Sequence, residues 1–174
     1  MEWAKRRADP KADLEDAQPD GRLYRIDLKS KAITKLDSGL LFANGIAFGP
    51  DNNLYVNATL SGMVYRYQWR DGEVIGGREE FGDVRDPAGP PVYKGPDGMA
   101  FGADGKLYVA VVGQGDITVL GLDGAVVDRI PTEGKSPTNV AFGPPGEKKI
   151  YVTEQGIGQM EVFQVDTDGL PLYS

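Results

Sequence analysis

The feature that most constrains the fold is an internal repeat. Three copies share a short apolar segment, a turn rich in glycine, proline, asparagine or aspartate, and a second short apolar segment that ends in Tyr-Val. The copies are residues 44–56 (NGIAFGPDNNLYV), 97–109 (DGMAFGADGKLYV) and 139–152 (NVAFGPPGEKKIYV). Their spacing, about 40 to 55 residues, is close to that of propeller blades, each of which is a four-stranded antiparallel sheet. The repeat therefore predicts an all-β chain built from blades.

The rest of the chain supplies the other strands of these blades. Short runs rich in Val, Ile, Tyr and Phe alternate with frequent glycine and proline, which is typical of strands and turns. Third strands are predicted at 63–69, 116–120 and 160–165, fourth strands at 73–81 and 126–130, and two strands of an earlier blade at 23–27 and 33–36. Asp71-Gly72 and Asp123-Gly124 predict the hairpins that join third to fourth strands.

These assignments give thirteen strands, whereas a six-bladed ring needs about 24. We therefore expect a β-propeller of the six-bladed type with about three and a half blades present. A β-sandwich, the alternative, has fewer strands. Residues 1–20 are predicted to be a charged N-terminal arm or loop, and residues 21–174 a partial β-propeller domain.

The composition excludes several kinds of site. The sequence contains no cysteine and no histidine, which removes thiol nucleophiles, Ser-His-Asp arrangements and the usual zinc sites. Any metal must be held by oxygen atoms, which favours calcium, magnesium or manganese. Proton transfer must then use Asp, Glu, Lys, Tyr or metal-bound water.

Charge and hydropathy indicate the partners. A net charge of −7 argues against binding to nucleic acid or to an anionic membrane, and no apolar run is long enough to span a bilayer. The N-terminus has no apolar segment like that of a secretory signal. We therefore expect cytoplasmic localisation, although a signal could be missing from the N-terminus.

The first position of each repeat carries an oxygen-bearing side chain, namely Asn44, Asp97 and Asn139. We call these the leading positions. Equivalent positions of successive blades converge at one mouth of the central channel, and amide and carboxylate oxygens suit Ca²⁺ or Mg²⁺. The alternatives are a type I′ turn at Asn44-Gly45 and a Pro-Asp-Gly turn at Asp97-Gly98. For Asn139 a local backbone hydrogen bond is favoured over metal binding.

Two further sets of residues have simpler interpretations. Tyr55, Tyr108 and Tyr151 recur in the second strands, so we expect them to pack between blades. Glu154 and Gln155 follow a second strand and are expected at the surface.

The repeated phrases resemble those of the gluconolactonase family, which includes senescence marker protein and luciferin-regenerating enzyme. Residues 42–48 (FANGIAF), 95–101 (GPDGMAF) and 137–143 (PTNVAFG) follow one another in the family's order, and 21–27 and 169–173 resemble the preceding blade and the C-terminal tail. The resemblance implies a divalent-metal-dependent lactone hydrolase that acts on a small-molecule lactone. The implied metal ligands are Asn44 and Asp97, with Asp97 also the general base. Ca²⁺ is the first expectation, with Zn²⁺, Mg²⁺ and Mn²⁺ as alternatives.

The sequence departs from the family's pattern in one respect that bears on activity. The Glu-Gly-Pro phrase that supplies the family's first-blade ligand does not occur in it. A non-catalytic or truncated propeller fragment that needs a partner, with self-association through open blade edges, therefore stays open. So does a relative of the strictosidine-synthase or paraoxonase type.

Overall fold

The computed structural model describes residues 18–89 and 93–171. Within these residues the chain forms thirteen strands and no helix. The strands are β1 (Gly21–Ile26), β2 (Ile33–Leu40), β3 (Ala43–Phe48), β4 (Leu54–Ala58), β5 (Met63–Arg70), β6 (Glu73–Asp83), β7 (Gly95–Phe101), β8 (Leu107–Val112), β9 (Asp116–Leu120), β10 (Val126–Pro131), β11 (Pro137–Phe142), β12 (Lys149–Glu154) and β13 (Gln159–Gln164). The predicted arm lies outside the described residues except for 18–20.

Consecutive strands pair into four antiparallel sheets. β1 and β2 form a two-stranded sheet, β3 to β6 and β7 to β10 form four-stranded sheets, and β11 to β13 form a three-stranded sheet. β3, β7 and β11 each begin a sheet and lie side by side; we call them the inner strands. The all-β propeller fold and the predicted thirteen strands are confirmed.

The turns between third and fourth strands lie where the sequence predicts them. Asp71 and Gly72 have φ angles of 51° and 83°, and Gly124 has a φ angle of 80°. The Asp123 carboxylate accepts a hydrogen bond from the Ala125 N–H at 3.0 Å. Both turns place their outer strand back against its neighbour, which completes the two four-stranded sheets.

Neighbouring sheets pack through a repeated aromatic contact. The ring of Tyr55 in β4 lies edge-to-face against Phe101 of the next inner strand, with centroids 4.9 Å apart, and Tyr108 in β8 meets Phe142 at 5.0 Å. Both tyrosines are buried, so their predicted packing role is confirmed. Such pairs contribute about 0.5–1.5 kcal/mol beyond the burial of area. The third tyrosine, Tyr151, is only partly buried on the last sheet.

The C-terminal segment returns to the inner strands. The Leu170 N–H donates to the Phe101 carbonyl at 2.8 Å, and Gly169 bridges to Gly102 beyond the end of β7. With the inner strands, this segment lines a largely apolar open cavity of about 1020 Å³.

Candidate active site at the inner-strand bulges

The leading positions lie at irregularities of the inner strands. In β3 the pair Ala43–Ala58 is followed by Ile46–Val56, so Asn44 and Gly45 together face the single residue Asn57. Such a bulge bends the strand and redirects a side chain, and bulges are frequent beside active sites.

The same irregularity occurs in β7. The pair Pro96–Val111 is followed by Met99–Val109, which leaves Asp97 and Gly98 opposite one residue of β8. The leading residues of two neighbouring inner strands therefore occupy matching bulges. β11 has a shorter irregularity, between Pro137 and Asn139.

Neither leading pair forms a hairpin turn. Asn44, Gly45, Asp97 and Gly98 all lie within strands, and none of them has a positive φ angle. A type I′ turn requires positive φ at both central residues, so this alternative is wrong for Asn44-Gly45. The Pro-Asp-Gly turn is wrong because Pro96, Asp97 and Gly98 all lie within β7. The physical reason for the glycines is a close approach between neighbouring blades.

A side chain at either glycine would collide with the neighbouring blade. A Cβ atom built on Gly45 would overlap the Asp97 carbonyl oxygen and would lie 2.6 Å from Nδ2 of Asn57. One built on Gly98 would overlap the side chain of Asn139. The three leading residues are therefore neighbours across the inner strands.

Asn44 and Asp97 lie close together. The Asn44 amide donates to the Thr59 hydroxyl at 3.1 Å, and it lies near enough to the Asp97 carboxyl to favour its ionised form. Burial raises the pKa of Asp97, and the Asn44 amide and the Gly98 N–H only partly oppose that shift. Asp97 is thus a half-buried carboxylate of increased basicity beside an amide.

Tyr93 belongs to the same site and was not predicted from the sequence. Burial raises the pKa of Tyr93 to about 12, and the nearby Asp97 charge acts in the same direction. The phenol is therefore neutral and can donate a hydrogen bond next to the carboxylate. Its position before β7, outside the repeat, gave no signal in the sequence.

Asn57 and Thr59 were also missed. Asn57 is fully buried and Thr59 nearly so, and their side chains bond to the backbone of β7. The sequence did contain a signal for Asn57. The equivalent segments 54–58 (LYVNA) and 107–111 (LYVAV) differ at their fourth position, where Asn57 corresponds to Ala110. In a strand whose neighbours are apolar, a buried amide has to find partners.

Glu154 is not the surface residue that its position predicted. It is only 2% exposed, and its carboxylate accepts hydrogen bonds from the backbone of Ser136 at 2.6 Å and Ile157 at 2.7 Å. Burial alone would raise the pKa of Glu154, but these backbone donors outweigh it and lower the pKa. The folding back of two loops onto this side chain has no signature in the sequence. Gln155, its neighbour, is exposed as expected.

The donor set at the bulges suits a hard cation in part. Asn44 and Asp97 offer one amide and one carboxylate oxygen, the ligand types that Ca²⁺ and Mg²⁺ prefer. Among the described residues, no ion pair involves Asp97, so its charge has no cationic side chain as partner. The described part of the chain holds no group of three or more His, Cys, Asp or Glu residues placed to bind a metal. A cation here would rely on two of these ligands, together with water or other donors.

Within residues 18–89 and 93–171, no helix has the length and apolar character needed to cross a membrane.

Fold and site together define a partial β-propeller whose inner-strand bulges present an amide and a carboxylate side by side. Residues 6–156 match the SMP-30/Gluconolactonase/LRE-like region, and the chain belongs to this family. The gluconolactonase resemblance of the repeated phrases is thereby confirmed, in preference to a strictosidine-synthase or paraoxonase type.

Two curated relatives are lactonases. The chain is 31% identical over 138 residues to pentonolactonase XacC of Haloferax volcanii, which covers 78% of this chain and 45% of that protein. It is 31% identical over 134 residues to 6-deoxy-6-sulfogluconolactonase of Pseudomonas putida, covering 76% of this chain and 44% of that protein. The chain therefore spans less than half the length of these relatives.

Solved structures share the fold. Luciferin-regenerating enzyme superposes with a TM-score of 0.76 at 21% identity, covering 87% of this chain and 54% of that chain. Regucalcin of Agrobacterium tumefaciens, described as a calcium-binding protein, superposes with a TM-score of 0.75 at 24% identity, covering 90% of this chain and 57% of that chain. At these identities the likeness establishes the propeller fold alone.

Proposed function

We propose that the bulges of β3 and β7 form the divalent-metal site of a gluconolactonase-like lactone hydrolase, at the mouth of the central channel. Asn44 and Asp97 are the metal ligands, and Asp97 is also the general base. The observation that carries this proposal is the close approach of two matching bulges, which brings together Asn44 and Asp97 although they lie about fifty residues apart in sequence.

The chemistry requires few groups. A bound divalent cation would polarise the lactone carbonyl and lower the cost of negative charge on its oxygen. Asp97 accepts a proton from water, the water oxygen bonds to the carbonyl carbon, and the ring C–O bond breaks. The proton then passes to the departing ring oxygen, so the product is the open hydroxy acid.

The relatives support the substrate class. Both curated proteins described above are named for sugar-derived lactones, and we propose a small-molecule lactone of this kind as substrate. Ca²⁺ is the proposed ion, because the ligands are oxygen atoms and the structural neighbour regucalcin is described as calcium-binding. Zn²⁺, Mg²⁺ and Mn²⁺ are the alternatives.

Calorimetry tests the metal site. We expect the wild-type chain to bind Ca²⁺ with micromolar affinity, and Asp97→Ala and Asn44→Ala to lose that binding, since each removes one of the two protein ligands. Asp123→Ala is the control, because Asp123 lies in a hairpin turn between β9 and β10. Retained binding in Asp97→Ala would place the ion elsewhere.

Acid release from an aldonolactone tests the reaction. We expect Asp97→Ala to lower kcat by about 10²–10⁴, the usual contribution of a general base, and Asp123→Ala to leave it unchanged. A wild-type chain that hydrolyses no aldonolactone with any of the four ions would contradict the proposal.

We also propose that the chain associates with a second copy of itself through its open sheet faces. Ile26 and Ile33 pair across β1 and β2 and are 56% and 67% exposed, while Met160 and Val162 on β13 are 62% and 49% exposed. Exposed apolar side chains on open sheet faces of this kind favour association.

A further inference from the structure

Asn57 occupies a special place between the two bulges. It lies in β4, opposite the bulged pair Asn44 and Gly45, and its side chain is completely buried. Burying an amide without partners costs about 1–3 kcal/mol. The hydrogen bonds that the Asn57 amide forms must therefore offset the cost of burying it.

Each end of the Asn57 amide bonds to a different bulge. Its Oδ1 accepts the Gly45 N–H of β3 at 2.9 Å, and its Nδ2 donates to the Asp97 carbonyl of β7 at 2.6 Å. Bulges leave such backbone groups without a partner in the ladder. One side chain satisfies a group from both strands that carry the proposed ligands.

Thr59, which follows the last residue of β4, supplies a second tie. Its hydroxyl donates to the Pro96 carbonyl at 2.8 Å and accepts from Asn44 at 3.1 Å. In the next sheet Ala110 stands opposite the β7 bulge and has no polar atom in its side chain. The amide tie thus occurs between β3 and β7, where the proposed ligands meet, and Ala110 cannot repeat it between β7 and β11.

We propose that Asn57 is a positioning residue that fixes the separation of Asn44 and Asp97 and thereby sets the metal affinity of the site. This inference rests on the proposed function. Asn57 reaches neither substrate nor metal in this role; it acts through the backbone of Gly45 and Asp97. Because its two bonds join different sheets, loss of either one lets the two bulges move apart.

Asn57→Asp is the sharpest variant. It keeps the acceptor for the Gly45 N–H and replaces the donor facing the Asp97 carbonyl with an oxygen. Asn57→Ser is a second variant. The serine side chain is too short to reach the Gly45 N–H or the Asp97 carbonyl, and it is small and uncharged, so it can be buried. Asn53→Asp and Asn53→Ser are matched controls, since Asn53 precedes the same strand and bonds to Asp51 and Trp69 instead.

The experiment is Ca²⁺ calorimetry on all five proteins, with thermal melting to report folding. We expect both Asn57 variants to bind at least tenfold more weakly while remaining folded, and both Asn53 variants to bind within twofold of wild type. We also expect kcat on an aldonolactone to fall more than KM changes. Calcium affinity within twofold of wild type in Asn57→Asp would overturn the inference.

A second readout separates this inference from the proposed function. If the wild-type chain binds no divalent ion, the proposed function fails, and the positioning role is then tested by NMR without metal. Removal of the tie should speed hydrogen exchange of the Gly45 amide at least tenfold and shift the Asp97 carboxyl carbon signal. If both signals match wild type in Asn57→Ser, the inference is wrong.

Discussion

At the scale of single residues, the site depends on how closely two inner strands approach. Gly45 and Gly98 permit this approach because any Cβ atom there would overlap the neighbouring blade. The side chains of Asn57 and Thr59 then satisfy the backbone groups that the bulges leave unpaired. Close packing and polar satisfaction therefore act together at the same few atoms.

Gly45→Ala tests the close approach. The added methyl group must push β3 away from the Asp97 carbonyl, so we expect the free energy of unfolding to fall by about 1–3 kcal/mol, the range for overpacking. Gly77→Ala is the control, because no atom lies within 4 Å of a Cβ built there. Urea denaturation measures both. Equal stability of the two variants would mean that the inner strands can separate at no cost.

Asn44 and Asp97 could be found from the sequence, but the groups that hold them could not. The repeat aligns the leading positions directly, and their oxygen atoms point to a cation. Asn57, Thr59 and Tyr93 act across sheets, and their roles depend on which backbone atoms of β7 come within reach. That information exists only after the blades have packed.

At the scale of elements, a charged cluster joins the two-stranded sheet to the next one. Asp37 in β2 accepts hydrogen bonds from Tyr67 at 2.9 Å and from Arg78 at 2.8 Å. Arg78 also donates to the Gly39 carbonyl at 3.0 Å. These bonds to β5 and β6 account for the length of β2, which continues to Leu40 and not to residue 36 as predicted.

The Asp37 cluster predicts a pH dependence of stability. Burial alone would raise the pKa of Asp37, but hydrogen bonds from Arg78, Ser38 and Tyr67 outweigh it and hold the pKa below its usual range. A carboxylate with a lowered pKa stabilises the fold above its unfolded pKa, and that stability disappears as the pH falls through the folded value. Asp37→Asn should therefore cost about 1–2 kcal/mol at pH 7, allowing for partial exposure.

Urea denaturation between pH 7 and pH 2 measures this effect. The difference between wild type and Asp37→Asn should be constant above about pH 5 and should shrink below about pH 4. Glu79→Gln is the control, because its ion pair with Arg66 is exposed and should contribute less than about 1 kcal/mol. A difference that persists at pH 2 would assign the effect to packing.

At the scale of the whole molecule, the sheets at the two ends differ from those between them. Tyr55 and Tyr108 each meet a phenylalanine of the next sheet, whereas Tyr151 shares a partly open face with Met160 and Val162 of β13. The repeat predicted this arrangement of blades, because apolar triplets and Gly/Asp turns mark each strand locally. The repeat does not indicate what packs against the exposed faces of the first and last sheets.

Self-association through these faces is tested by light scattering. We expect the wild-type chain to exceed monomer mass at high concentration, and Val162→Lys and Ile33→Lys to reduce that mass, because a charge on an apolar edge opposes docking. Leu122→Lys is the control: Leu122 is 72% exposed but lies in the turn between β9 and β10. A wild-type monomer at every concentration would exclude association through these faces.

The contact between the two bulges has a consequence for how such a protein can diversify. Asn44 and Asp97 lie on inner strands, and the bonds that join their two bulges come from β3, β4, β7 and Thr59 directly after β4. The outer strands of each sheet can lengthen, tilt or change sequence while the spacing of the inner strands stays the same. The outer strands are thus insulated from the chemistry, and substitutions can accumulate there without retuning the site.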